Sequence, residues 1–189
     1  MGKVLRRISL AVTLCLMLVF TMKTQVQAQT RIDTLRDGTF INLSRQDKED
    51  TIRAIVSDAA NDLGVTRTLN VGFYDSSVEE VTAYSSTIVG SESDDIMFNM
   101  YYYEDPIFAN SLNKSLGYYL VETIAHEVRH SYQFQHMNDD TEYARALTSA
   151  NNNYDSSGQY TESYKNNYTE VDAREYASKY ADKFFGIRP

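Results

Sequence analysis

His126-Glu127-Val128-Arg129-His130 is the stretch around which the rest of the chain is read. Residues four apart lie on one face of an α-helix, so His126 and His130 can present two imidazoles to a single metal ion. Glu127 follows the first of them and can take a proton from a metal-activated water. The pattern HExxH thus specifies two ligands and a base, and it requires a helix. The chain has three histidines and places two of them here. Leu116, Leu120, Ile124 and Val128 form an apolar ridge at helical spacing, with His126 and His130 on a neighbouring face. A long helix is predicted from about Leu112 to Gln135.

Upstream, the pattern changes period. Leu69, Val71 and Phe73 alternate with Asn70, Gly72 and Tyr74, which reads as a half-buried strand. A second strand fits Val81 to Ser86. A third fits Asp95 to Tyr103, where Ile96, Phe98 and Met100 alternate with Met97, Asn99 and Tyr101. Gly90 to Asp94 between them reads as a turn. Earlier still, Ser44 with Asp47 reads as a helix start, Ile52, Ile55, Val56, Ala59 and Leu63 follow at helical spacing, and Gly64 is a natural stop. Residues 29–43 show no periodicity.

Downstream, Asp139 to Ala150 is a weaker helical segment, and the polar run Asn151 to Asn167 reads as a surface loop. Thr169 is placed to cap a last helix that runs through Phe185 and stops at Gly186, with Pro189 beyond. A helix, three strands and then helices, without internal repeats, predict an α+β fold.

The N-terminus carries an export signal. Lys3, Arg6 and Arg7 precede the apolar run Ile8 to Phe20, and a polar stretch follows that ends Val26-Gln27-Ala28. The apolar run is shorter than the ~20 residues a membrane-spanning helix needs. Residues 1–28 are therefore read as a cleaved signal peptide and residues 29–189 as one domain of a secreted protein. Leu14 before Cys15 does not suit lipidation. Cleavage removes four basic residues and no acid, which takes the formal charge from −8 to −12, and it removes the only cysteine. Stability then rests on a core and a metal, with no disulfide. The acidic balance argues against nucleic acid and anionic membrane surfaces as partners.

A catalytic zinc takes three protein ligands and keeps a position for water. His136 completes the spacing HExxHxxGxxH, but Gln133 stands where that metzincin pattern needs a chain-turning Gly. On a continuing helix His136 faces away from His130, and the chain has no methionine after Met137. Glu170 opens the last helix and can project its carboxylate from the first turn. The helix dipole alone also favours an acid there. Asp172, Glu175, Glu162 and Glu142 are the other acids within range.

Glu170, Ala173, Tyr176 and Ala177 resemble the second zinc motif of gluzincin metallopeptidases. Together with HExxH and the order of elements, they make the chain similar to small, minigluzincin-type members of the zincin-like superfamily. The resemblance implies Zn2+ held by His126, His130 and Glu170, with Glu127 as general base, and peptide or protein as substrate. It implies that the last strand before the active-site helix, Asp95 to Tyr103, is a sheet edge that pairs with an extended substrate. It also implies a tyrosine or histidine that stabilises the oxyanion, for which Tyr143, Tyr154, Tyr160, Tyr164 and Tyr168 lie in range. One position departs from the pattern: where many gluzincins carry an acid that orients a zinc-bound histidine, this chain has Arg174, so that either Asp172 or Glu122 takes that role or the site is assembled differently. The competing readings are a zinc-binding interaction protein without turnover, a non-peptidase hydrolase or structural zinc protein, and a metzincin-like site using His136.

Overall fold

The computed structural model describes residues 32–79, 81–88, 90–138, 141–148 and 162–187. The expected signal peptide, Cys15, Tyr154, Tyr160, Pro189 and most of the polar run after Ala150 lie outside the described residues.

The fold is α+β. A helical turn at 32–36 and a 3₁₀ turn at Phe40–Asn42 precede helix α1, Arg45–Leu63. The Ser44 side chain accepts a hydrogen bond from the Asp47 amide at its start. Gly64 ends it in the left-handed region at φ 73°, where a side chain would strain the backbone. The core face of α1 is Ile52, Ile55, Val56 and Ala59, all buried.

The sheet has three strands: β1 (Thr68–Tyr74), β2 (Ala83–Thr87) and β3 (Ser93–Asn99), in the order β1-β3-β2. β3 pairs parallel with β1 and antiparallel with β2. The last strand before the long helix is therefore the centre of the sheet, and the expectation that it forms an edge is corrected. The edge on its other flank is β2, and β2 packs against the long helix. β3 is also shorter than its alternation suggests. Asn99 Nδ2 donates to Ser76 O and Val81 O, and its Oδ1 accepts from Ser76 N, which ties off the strand end. The chain then coils into α2 (Met100–Glu104), where Met100 and Tyr103, three apart, both turn inward.

Asp105 caps a further short helix, α3 (Pro106–Ser111), whose proline occupies the first turn. The long helix α4 spans Leu116–His136. Its predicted start at Leu112 moves to Leu116 because Leu112 is extended and the Ser115 side chain accepts from the Tyr118 amide. Leu120, Val121, Ile124, Ala125 and Val128 are fully buried along α4. Gly117 lets the backbone at Leu35 approach closely, since a Cβ there would collide with the Leu35 carbonyl.

α5 (Thr141–Thr148) and α6 (Glu162–Lys165) follow, and α6 places a helical turn inside the predicted loop. α7 (Tyr168–Phe185) is capped by Asn167, not Thr169: the Asn167 side chain accepts from the Thr169 amide, so Glu170 is the third residue of the helix. α7 packs lengthwise against α4 through Ala173 and Ala177, both buried. Small residues at this contact bring the two helix axes close together. Among the described residues no helix is long and apolar enough to cross a membrane.

Candidate metal centre

α4 presents His126 and His130 one turn apart, and α7 brings the Glu170 carboxylate to both. Glu170 Oε2 lies 3.3 Å from His126 Nε2, and Oε1 lies 3.2 Å from His130 Nε2. The two Nε2 atoms are 3.1 Å apart, with the ring planes perpendicular at 90°. Among the described residues these are the one group of three or more His, Cys, Asp or Glu side chains close enough to hold a metal ion.

The donor set passes a geometric test. Donor atoms bound tetrahedrally at ~2.05 Å stand about 3.4 Å from one another. The two Nε2 atoms, 3.1 Å apart, sit close to that value, and each has a Glu170 oxygen at 3.2–3.3 Å, Oε1 for His130 and Oε2 for His126, with one oxygen within 4.8 Å of both nitrogens. The hydrogen-bond network supplies a second test. Gln133 is fully buried, and its Nε2 donates to Thr169 O at 2.9 Å and to Asp172 Oδ2 at 2.8 Å. Both partners are acceptors, so the amide orientation is fixed and Gln133 Oε1 faces His130 Nδ1, 2.8 Å away. His130 must therefore carry its proton on Nδ1. In the neutral ring Nε2 is then a lone pair facing Glu170 Oε1 at 3.2 Å and His126 Nε2 at 3.1 Å, a place that a proton or a metal cation suits.

With a proton as that cation, the same geometry perturbs both groups. Burial opposes a charge on His130, but the hydrogen bond to Glu170 and the negative field of Glu127 and Glu170 outweigh it, pushing the imidazole up to about 9. Burial likewise opposes ionisation of Glu170, yet hydrogen bonds from His126 and His130 hold it far below the usual carboxylate range.

Behind the triad, Asp172 is gripped by Arg129, whose Nε and Nη2 donate at 2.8 and 2.9 Å, and by Tyr143 Oη at 3.2 Å. Burial raises the Asp172 carboxyl, but the Arg129 and Gln133 hydrogen bonds prevail and lower it. Burial pushes the Tyr143 phenol up to about 12. Asp172, anticipated as an orienting acid, thus reaches His130 through Gln133. Glu122, the other acid considered, pairs instead with Lys114 Nζ at 2.5 Å. Sequence reasoning used Gln133 only to reject a chain turn. Its signal was a polar residue three positions after His130 on a face that is otherwise buried.

The remaining candidates separate. His136 stands outside the triad, its ring against Tyr132 with centroids 4.4 Å apart. Of the tyrosines considered, Tyr143 belongs to the Asp172 network, and Tyr168 is exposed with its ring tilted against that of Tyr143. Arg174 lies one turn beyond Glu170, with Nη1 3.9 Å from Glu170 Oε2 and Nη2 hydrogen-bonded to Lys165 O. A cavity of about 450 Å³ opens beside His126 and Glu127 and extends to Thr82, Thr123 and Arg174. His126, the more exposed imidazole of the pair at 19% against 11%, is the one that lines it. Comparison with protein-family models, curated proteins and solved structures finds no match for this chain.

Proposed function

We propose that this chain is an exported, zinc-dependent metallopeptidase with a gluzincin-type site. The observation that carries the reading is the convergence of two Nε2 atoms and one carboxylate at metal-ligand spacing, with Glu127 in the adjoining cavity. His126, His130 and Glu170 would hold the ion, and their two neutral nitrogens and single carboxylate suit zinc. Zinc so held would supply Lewis acidity, lowering the pKa of a water toward ~7 and polarising a carbonyl.

The chain's own residues do the rest. Glu127 takes the proton of the attacking water as its oxygen bonds to the scissile carbonyl carbon. It returns that proton to the amide nitrogen as the C–N bond breaks. Gln133, backed by Asp172 and Arg129, keeps the His130 ring in its Nδ1-protonated form. The free edge of β2, which packs on α4 and continues from Thr82 at the cavity, offers backbone groups to an extended peptide. Substrate is peptide or protein, in keeping with an acidic chain that would repel nucleic acid.

Hydrolysis of an unfolded protein by the mature chain tests this. Turnover should stop with a zinc chelator and return with zinc. Glu127→Gln should lower it by about 10²–10⁴-fold. Turnover indifferent to chelator, or retained by Glu127→Gln, refutes the assignment.

A further inference from the structure

The cavity beside Glu127 has a charge pattern that the hydrolytic reading leaves unexplained. Four charged side chains line it: Lys114, Glu122, Glu127 and Arg174. Lys114 and Glu122 neutralise one another at 2.5 Å. A divalent ion on His126, His130 and Glu170 leaves one positive charge, which the Glu127 carboxylate offsets. Arg174 is what remains. Its nearest acid, Glu170 at 3.9 Å, is committed to the histidines, and its one close hydrogen bond is to a backbone carbonyl. A guanidinium has five N–H donors in a planar fork, and in this side chain, 47% exposed, most of them face solvent at the cavity and are open to a ligand.

The neutral wall of the cavity points the same way. Thr82 Oγ1 and Tyr119 Oη share a hydrogen bond of 3.1 Å, and Thr123 Oγ1 beside them donates to Tyr119 O at 2.9 Å. The Tyr103 hydroxyl is buried behind this wall, beside Thr82 and Thr123. Arg174 and the Thr82–Tyr119 hydroxyl pair thus offer donors to the cavity, where Lys114 already engages Glu122. The complement of such a lining is an anionic acceptor.

We propose that this cavity receives an acidic side chain of the substrate, aspartate or glutamate, with Arg174 as its counter-charge. The proposal rests on the peptidase reading for the word substrate, although the recognition itself does not require turnover. Arg174 thereby acquires a role at the position where its sequence departs from the gluzincin pattern. It reads the side chain beside the scissile bond and leaves the orientation of histidine to Gln133.

The test uses zinc-loaded Glu127→Gln protein titrated calorimetrically with capped pentapeptides that differ only in a central Glu, Gln or Lys. The Glu peptide should bind about 10-fold more tightly than the Gln peptide, as a charge-assisted pair predicts. Adding Arg174→Met should cut that ratio by about 10-fold, Arg174→Lys should keep part of it, and Arg174→Glu should move the preference to the Lys peptide. Zinc content and thermal unfolding of each variant report whether the site and fold survive. A Glu-to-Gln ratio near one, or a ratio untouched by Arg174→Met and Arg174→Glu, overturns the proposal. Charge-selective binding with no cleavage by the wild-type zinc protein would refute the peptidase reading and leave the pocket for an acidic side chain standing. Cleavage without charge selection does the reverse.

Discussion

Gln133 Oε1 and His130 Nδ1 lie 2.8 Å apart inside the helix contact, and this one hydrogen bond decides which imidazole nitrogen is free for a metal. The amide cannot turn over, because its nitrogen is already held between Thr169 O and Asp172 Oδ2. A residue outside the triad thus sets which His130 nitrogen could hold an ion.

Gln133→Leu should therefore weaken zinc retention by about 10- to 100-fold. It should also destabilise the metal-free protein by about 1–3 kcal/mol through each buried partner left unpaired. Chelator competition reads the first effect and urea unfolding the second. Zinc affinity unchanged by Gln133→Leu would remove Gln133 from the site.

Asp172 links α7 to Arg129 and Gln133, and its depressed carboxyl makes stability depend on pH. The unfolded chain, with its carboxyl near ~3.9, binds the proton more readily than the folded one. The contribution is therefore present above that pH and is lost as pH falls through the lower folded value. Metal-free wild type should lose more stability between neutral pH and about pH 3 than Asp172→Asn does, since the amide has no such charge to lose. Equal losses in urea midpoint would show that the Arg129 pair contributes nothing.

Ala173 is fully buried where α7 meets α4. Ala173→Leu must part the helices or force strained rotamers, at about 1–3 kcal/mol. Moving α7 outward carries Glu170 with it, so zinc affinity should fall together with stability. The same substitution at Lys179, exposed on α7, should change neither. A stable Ala173→Leu protein that retains zinc would show that the close approach is dispensable.

Much of this was legible in the chain itself. HExxH fixed a helix and a ligand pair because helical spacing turns sequence separation directly into geometry. Glu170 could be found because it opens a helix with small Ala173 one turn on, and the structure joins it to both imidazoles. Sheet order was not legible. Period-two alternation in Ile96 and Phe98 reports which faces are buried, and it is the same for a central strand as for an edge, so β3 was misplaced. Boundaries moved where a local hydrogen bond overrode the pattern: Asn99 ended β3, Ser115 started α4 and Asn167 started α7. Gln133 was missed because its meaning lies across the interface, in Thr169 and Asp172, some forty residues away in sequence.

The central claim is that one ion sits between His126, His130 and Glu170. Zinc content of the purified, dialysed chain, measured by atomic emission on wild type, Glu170→Ala and His136→Ala, tests it most directly. The account predicts about one zinc per chain in wild type and in His136→Ala, as for a site with three protein ligands, and near-complete loss in Glu170→Ala. Zinc that stays in Glu170→Ala and leaves with His136→Ala, or a wild-type chain that takes up none, would contradict it.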